Sequence, residues 1–149
     1  MSSPSREYPD SPRVGVGGVV LQDGHVLLIR RAKPPVAGKW SIPGGMVELG
    51  ETTAEAVVRE LEEECGLRVR LGGVAGILDR VTRDPEGRVR YHWVLVDYVA
   101  FPESGTLAAG SDAADAQWFR IEDVENLDVT EGLLDMIRRA VALTEGRLP

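Results

Sequence analysis

Between residues 52 and 66 the sequence specifies a helix with a start signal and a stop signal. Thr52 followed three residues later by Glu55 matches a capping box, and Gly66 stands where the residue beyond a helix C-terminus takes positive φ. At roughly 100° per residue, Ala54, Val57, Val58, Leu61 and Cys65 share one stripe. Glu60, Glu63 and Glu64 form another, about a third of a turn away. The apolar stripe is expected to pack and the acidic one to stay accessible. Such a helix needs an apolar layer to lie on and a partner for three crowded carboxylates.

Like charges at i, i+3 and i+4 project side by side and repel one another unless a cation neutralises them. Carboxylate oxygens suit hard ions, so Mg²⁺ is the expected cofactor, with Mn²⁺ as a substitute. Mg²⁺ is commonly held by few carboxylates together with waters and substrate phosphates, which points to a phosphorylated substrate. Upstream, the Gly44-Gly45 pair lets main-chain carbonyls approach an ion without side-chain bulk. An acidic helix face by itself is usually a solvated surface, so the rest of the chain has to decide.

The flanking segments read as strands. Val14 to Leu21 and His25 to Arg30 are β-rich runs separated by Gln22-Asp23-Gly24, a hairpin signal. Arg31 to Lys39, with Pro34, Pro35 and Gly38, reads as a loop, and Trp40 to Gly45 as a short extended piece broken by two glycines. Leu67 to Arg80 and Arg88 to Phe101 are expected to pair as an antiparallel hairpin around Asp84-Pro85-Glu86-Gly87. A loop from Ser104 to Ala116 leads to a short strand near Gln117 to Arg120, and Thr130 to Thr144 has helical apolar spacing. Strand runs interrupted by a central and a C-terminal helix imply the α/β class: an α/β/α sandwich with a mixed sheet between helices.

Length and charge bound the function. The chain of 149 residues is the size of one domain, expected over residues 13–149, with the polar, Pro/Ser-rich residues 1–12 as a disordered tail. A net charge of −7 repels a nucleic-acid backbone, and only Arg30, Arg31 and Lys33 cluster as cations. One cysteine excludes an internal disulfide, and the start lacks the apolar core of a secretion signal. No apolar run is long enough for a membrane span. A cytoplasmic protein acting on a small nucleotide is the expectation.

From Gly45 onward the spacing is a glycine, five residues, Glu51, seven residues, then Arg59-Glu60-Leu61-Glu62-Glu63-Glu64-Cys65-Gly66-Leu67. This resembles the Nudix box at every fixed position, and chance agreement at seven polar or glycine positions is on the order of once in 10⁸ starts. The resemblance extends from about Val14 to Leu143 and implies the family's fold and its divalent-metal-dependent hydrolysis of a pyrophosphate linkage by water. It implies Gly44 O, Glu60 and Glu64 as metal ligands, with Glu63 ligating or acting as base. Glu60 and Glu63 are thus the catalytic candidates in the box. It further implies that Glu51 and Arg59 pair to brace the loop carrying Gly45 against the helix. Asp112, in the loop before Trp118, stands where such enzymes often place an additional acid that binds metal or activates water, and Asp115 is the weaker alternative. Dimers are common in the family.

Other residues carry substrate expectations. Arg30, Arg31 and Lys39 flank the loop before the box, where cations could neutralise phosphate oxygens. Tyr91 and Trp93 alternate onto one strand face and could stack on a base or pack in the core, whereas His92 points away. Cys65 belongs to the packing stripe. The run Arg90-Tyr91-His92-Trp93-Val94-Leu95-Val96-Asp97 is similar to small bacterial Nudix proteins grouped with ADP-ribose pyrophosphatases, so ADP-ribose or a nucleotide sugar ranks first. Against this, the dedicated ADP-ribose branch carries its proline earlier than Pro85. An oxidised dNTP is the alternative substrate, and a non-catalytic nucleotide sensor the alternative of another class.

Overall fold

The computed structural model describes residues 6–32, 36–110 and 113–145. Strand β1 (Arg13–Gln22) turns through Asp23-Gly24, both at positive φ, into β2 (His25–Arg31). That two-residue turn fits the right-handed twist of a hairpin, as its Asp-Gly sequence predicts. The segment after the loop divides at Pro43 into β3 (Trp40–Ser41) and β4 (Gly44–Met46). Helix α1 (Thr53–Cys65) is followed by the long strands β5 (Leu67–Arg83) and β6 (Val89–Gly105), then β7 (Ala113–Arg120), a 3-10 turn (Ile121–Asn126) and helix α2 (Leu133–Glu145).

Strand order is β3-β2-β1-β6-β5, with β4 also on β1 and β7 also on β2. The β1–β6 pair is parallel and the other strand pairs are antiparallel, so the sheet is mixed as expected. β1 and β2 stay paired only beside their turn, at Leu21–Val26 and Gln22–His25, and then part. Where they part, β4 pairs along β1 instead. β7 begins at Ala113, four residues before the strand read from the sequence, because its pairing with β2 continues to Arg31 past a bulge. The small, weakly patterned Ala113-Ala114 start concealed it.

Two cores cover the two faces. Val16, Val20, Leu27 and Ile29 pack with Ala56, Val57, Leu61 and Cys65 of α1. The alternating residues Val19, Leu21, Val26 and Leu28 pack with Leu133, Met136, Ile137 and Ala140 of α2. Period-two alternation thus feeds both helices from the same strands. Ala54 and Val58, read as part of the packing stripe, are only partly buried, and Ala56 takes the deeper place. Within the segment read as a loose tail, Tyr8 N donates to Arg90 O, and its hydroxyl donates to Asp84. Glu7 accepts from Arg90 at 2.7 Å, so this short piece is held on the β5–β6 hairpin. Polar composition concealed these specific pairings.

Asp97 of β6 is a buried polar residue, like Ser41, Glu64 and Thr130: it is 6% exposed, and burial pushes its carboxyl up to about 6 despite the opposing charge of Arg80. A carboxyl raised in the folded state favours folding when protonated. That contribution is complete below the unfolded value near 4 and is lost as pH rises through about 6. Asp97→Asn is therefore expected to melt higher than wild type at pH 7, by a free energy of roughly 2–3 kcal/mol, with the gap closing towards pH 4. Melting curves across that range test it, and a pH-independent gap contradicts it.

Candidate active site

The site grows from the capped end of α1. Thr52 accepts from Glu55 N while the Glu55 side chain accepts from Thr52 N, the predicted capping box. The C-terminal Gly66 has φ 74° and closes the last turn onto Glu62 O. Tyr98 on β6 meets Thr53 Oγ1 at 2.6 Å and ties the helix start to the sheet. These contacts fix the rotation of α1, and rotation decides where its glutamates point.

Arg59 then organises the cluster. Its Nε and Nη2 bind Glu51 in a fork at 2.7 and 2.9 Å, and Nη2 also donates to Met46 O at 3.0 Å. Two parallel bonds set direction as well as distance. The hydrogen bonds from Arg59 and the Glu48 main chain hold the Glu51 carboxyl down at about 2, and the pairing raises Arg59. The remaining nitrogen, Nη1, lies 2.8 Å from Glu60 Oε1 and 3.1 Å from Glu63 Oε2. One guanidinium thus braces the loop and draws two acidic side chains to a point.

Glu64 follows a different path. Although the acidic stripe was expected to be accessible, Glu64 is buried at 7% while the Glu63 side chain is 61% exposed. The reason is local: Glu64 Oε2 accepts from Gly44 N at 3.0 Å, and Arg31 Nη1 approaches Oε1 at 3.5 Å. Close approach requires the glycines here. A Cβ on Gly44 would strike Val16 O, and one on Gly45 would strike the Glu60 carboxyl. The box therefore places the β4 backbone directly against the carboxylates.

Among the described residues no three His, Cys, Asp or Glu side chains form a ready-made metal cluster. The donor set nonetheless fits a hard divalent cation. Glu60 and Glu63 already share one positively charged nitrogen, and all nearby ligands are oxygens beside unhindered glycine backbone. An open groove of about 720 Å³ flanks the cluster along α1, bordered by Ala54, Val58, Arg59, Glu63 and Leu71. Glu60, Glu64 and Gly44 lie off that groove, so it reaches the cluster from one side only.

The other predicted residues scatter. Arg31 joins the site, also donating to Ile42 O at 3.1 Å. Arg30 lies over the Trp40 ring at 5.7 Å, and Lys39 approaches Asp128 at 4.0 Å. Tyr91 and Trp93 share a face of β6 and are partly buried; the Tyr91 hydroxyl lies 3.5 Å from Glu7. Asp115 is engaged locally by Ala116 N and Gln117 Nε2. Asp112 lies outside the described residues. Cys65 is packed in the core, and burial pushes its thiol up to about 12, which agrees with a structural role. Sequence reading missed the inward course of Glu64 and the burial of Asp97; period-two placement on β6 was the available signal for the second.

The NUDIX domain model matches residues 11–140 of this chain. The chain is 39% identical over 116 residues to an ADP-ribose pyrophosphatase of Methanocaldococcus jannaschii, covering 78% of this chain and 66% of that protein. It is 33% identical over 129 residues to a human 8-oxo-dGDP phosphatase, covering 79% of this chain but 37% of that protein. Among solved structures it resembles a MutT NUDIX hydrolase from Burkholderia pseudomallei, with TM-score 0.77, 31% identity and coverage of 87% and 98%. The intact run of box residues, the Arg59-centred geometry they create and these likenesses agree: the chain belongs to the NUDIX family of hydrolases acting on pyrophosphate bonds.

Proposed function

We propose that this chain is a Mg²⁺-dependent pyrophosphatase of ADP-ribose or a closely similar nucleotide sugar, yielding AMP and ribose phosphate from the former. The reading rests chiefly on Glu60 and Glu63 converging on one cationic point beside the Gly44–Gly45 backbone. Glu60, Glu63 and Glu64, with Gly44 O, are the groups that would hold the ion. When bound, Mg²⁺ offsets negative charge on the phosphate oxygens. Glu63, the most exposed of the three, would take a proton from water. The water oxygen bonds to one phosphorus as the bridging P–O bond breaks, and the other phosphate departs with that electron pair. Arg59 and Glu51 position the carboxylates, and Arg31 brings positive charge beside them. The presence of every box glutamate favours turnover over nucleotide sensing.

The name of the archaeal relative supports ADP-ribose, and modest cationic lining suits two phosphates at least as well as three. The name of the human relative supports the second reading, an oxidised nucleotide.

Glu63→Gln is expected to lower kcat by roughly 10²-fold or more with little change in melting, because its side chain is exposed. Glu64→Ala is expected to lower both, since Gly44 N loses its buried acceptor at a cost of roughly 1–3 kcal/mol. Near wild-type turnover in both variants would contradict the site. For substrate, kcat/KM is compared for ADP-ribose and 8-oxo-dGTP at equal Mg²⁺, with chromatographic identification of products. ADP-ribose is expected to lead; an oxidised dNTP preferred by about tenfold reverses the ranking while keeping the reaction class.

A further inference from the structure

β5 ends the sheet on one side: it pairs with β6, and among the described residues no strand pairs with its outer edge. A long open edge is a template for another chain, and proteins commonly blunt it with charge or proline. Here the outer part of β5 carries exposed apolar side chains. Val74 is 45% exposed, Ile77 59% and Val81 47%.

These side chains share a face. Val74 stands opposite Tyr98 and Ile77 opposite Val96, both of which pack against the α1 core. Alternation carries Asp79 and Val81, opposite Val94 and His92, and then Arg83 onto the same face. Val14, itself exposed, extends it across Val94 on β1. Helix α1 covers the inner part of this face and leaves the arm of the β5–β6 hairpin bare.

The charges on that arm identify its partner. Asp79 and Arg83 are both exposed and stand at equal distances on either side of Val81. Among the described residues Asp79 forms no hydrogen bond or ion pair, and Arg83 donates only to Gly87 O. Arg68 and Arg80 of the same strand are engaged within the chain, by Glu62 and by Glu131 O. Two copies of β5 running antiparallel about a two-fold axis at Val81 would set Val81 against Val81 and each Asp79 against an Arg83. An axis at Asp79 or at Arg80 would instead set that charge against itself, which is destabilising. The chain carries −7 overall, so most of its surface repels a second copy, whereas this stretch is its own complement.

We propose that the outer edge of β5 is the docking surface for a second copy of this chain, the two strands pairing antiparallel about Val81. The pairing covers the outward flank of the exposed valines and joins the two sheets into one. Glu60, Glu63 and Arg59 lie on α1, away from this edge, so the proposal does not depend on the substrate.

Two measurements on the full chain test it. Under a glutathione redox buffer, Val81→Cys is expected to form a disulfide-linked dimer, because a residue facing itself across the axis brings its Cβ atoms within bridging reach. Val74→Cys, similarly exposed but far from the axis, is expected to stay unlinked, as is wild type, whose Cys65 is buried. In sedimentation equilibrium, wild type is expected to dimerise with concentration. Asp79→Arg and Arg83→Asp are each expected to weaken the dimer roughly tenfold, since both turn two attractive pairs into repulsive ones. An equal mixture of these two variants is expected to associate again, because acid then faces base at every pair. All of these side chains are exposed, so melting is expected to be unchanged. A wild type that stays monomeric, equal linkage at Val74 and Val81, a dimer indifferent to both charge reversals, or a mixture that fails to associate overturns the proposal.

Discussion

The fork between Arg59 and Glu51 is the contact on which the site depends. Glu51 belongs to the loop after β4, and Arg59 to the second turn of α1, so their two bonds at 2.7 and 2.9 Å lock loop and helix together. With the fork in place, Arg59 Nη2 reaches Met46 O and Nη1 reaches Glu60 and Glu63. A lysine could supply the charge, but its point-like ammonium could not divide five donors among a loop carbonyl and three carboxylates. Geometry set by planar hydrogen bonding, more than net attraction, is what this arginine contributes.

That lock has a counterpart in the sheet. β1 parts from β2 just beyond their turn, and β4 enters beside β1 with Gly44 against Val16 O. The peptide N–H of Gly44 then finds Glu64, whose carboxyl is drawn inward and meets Arg31. Fold and site therefore share the same backbone. The glycine that lets the strand pack also brings main chain to the acidic cluster, and the helix that fills one core carries the carboxylates.

Local signals in the sequence were strong wherever a short stretch determines its own structure. The Asp23-Gly24 turn, the Thr52–Glu55 capping box, Gly66 and the spacing of the box all appear as read, because each depends on neighbouring residues. The mixed sheet between two helices followed from strand runs interrupted by a central and a C-terminal helix. Less legible was anything fixed by partners distant in sequence. Glu64 lies on the acidic stripe by angle, but Gly44, twenty residues earlier, buries it. Arg30 and Arg31 are adjacent, yet alternation along β2 sends Arg31 to the site and leaves Arg30 over Trp40. Tyr8 and Glu7 read as tail because only Arg90 and Asp84 give them a place.

Arg59 holds Glu60 and Glu63 in an arrangement that we propose a divalent cation can take over. A crystal structure with Mn²⁺ and a non-hydrolysable ADP-ribose analogue, located by anomalous scattering, tests this most directly. Mn²⁺ is expected among the box glutamates beside Gly44, with Arg59 still forked on Glu51 but released from at least one of Glu60 and Glu63. Mn²⁺ bound elsewhere, or both glutamates still on Arg59 with the analogue in place, would contradict it.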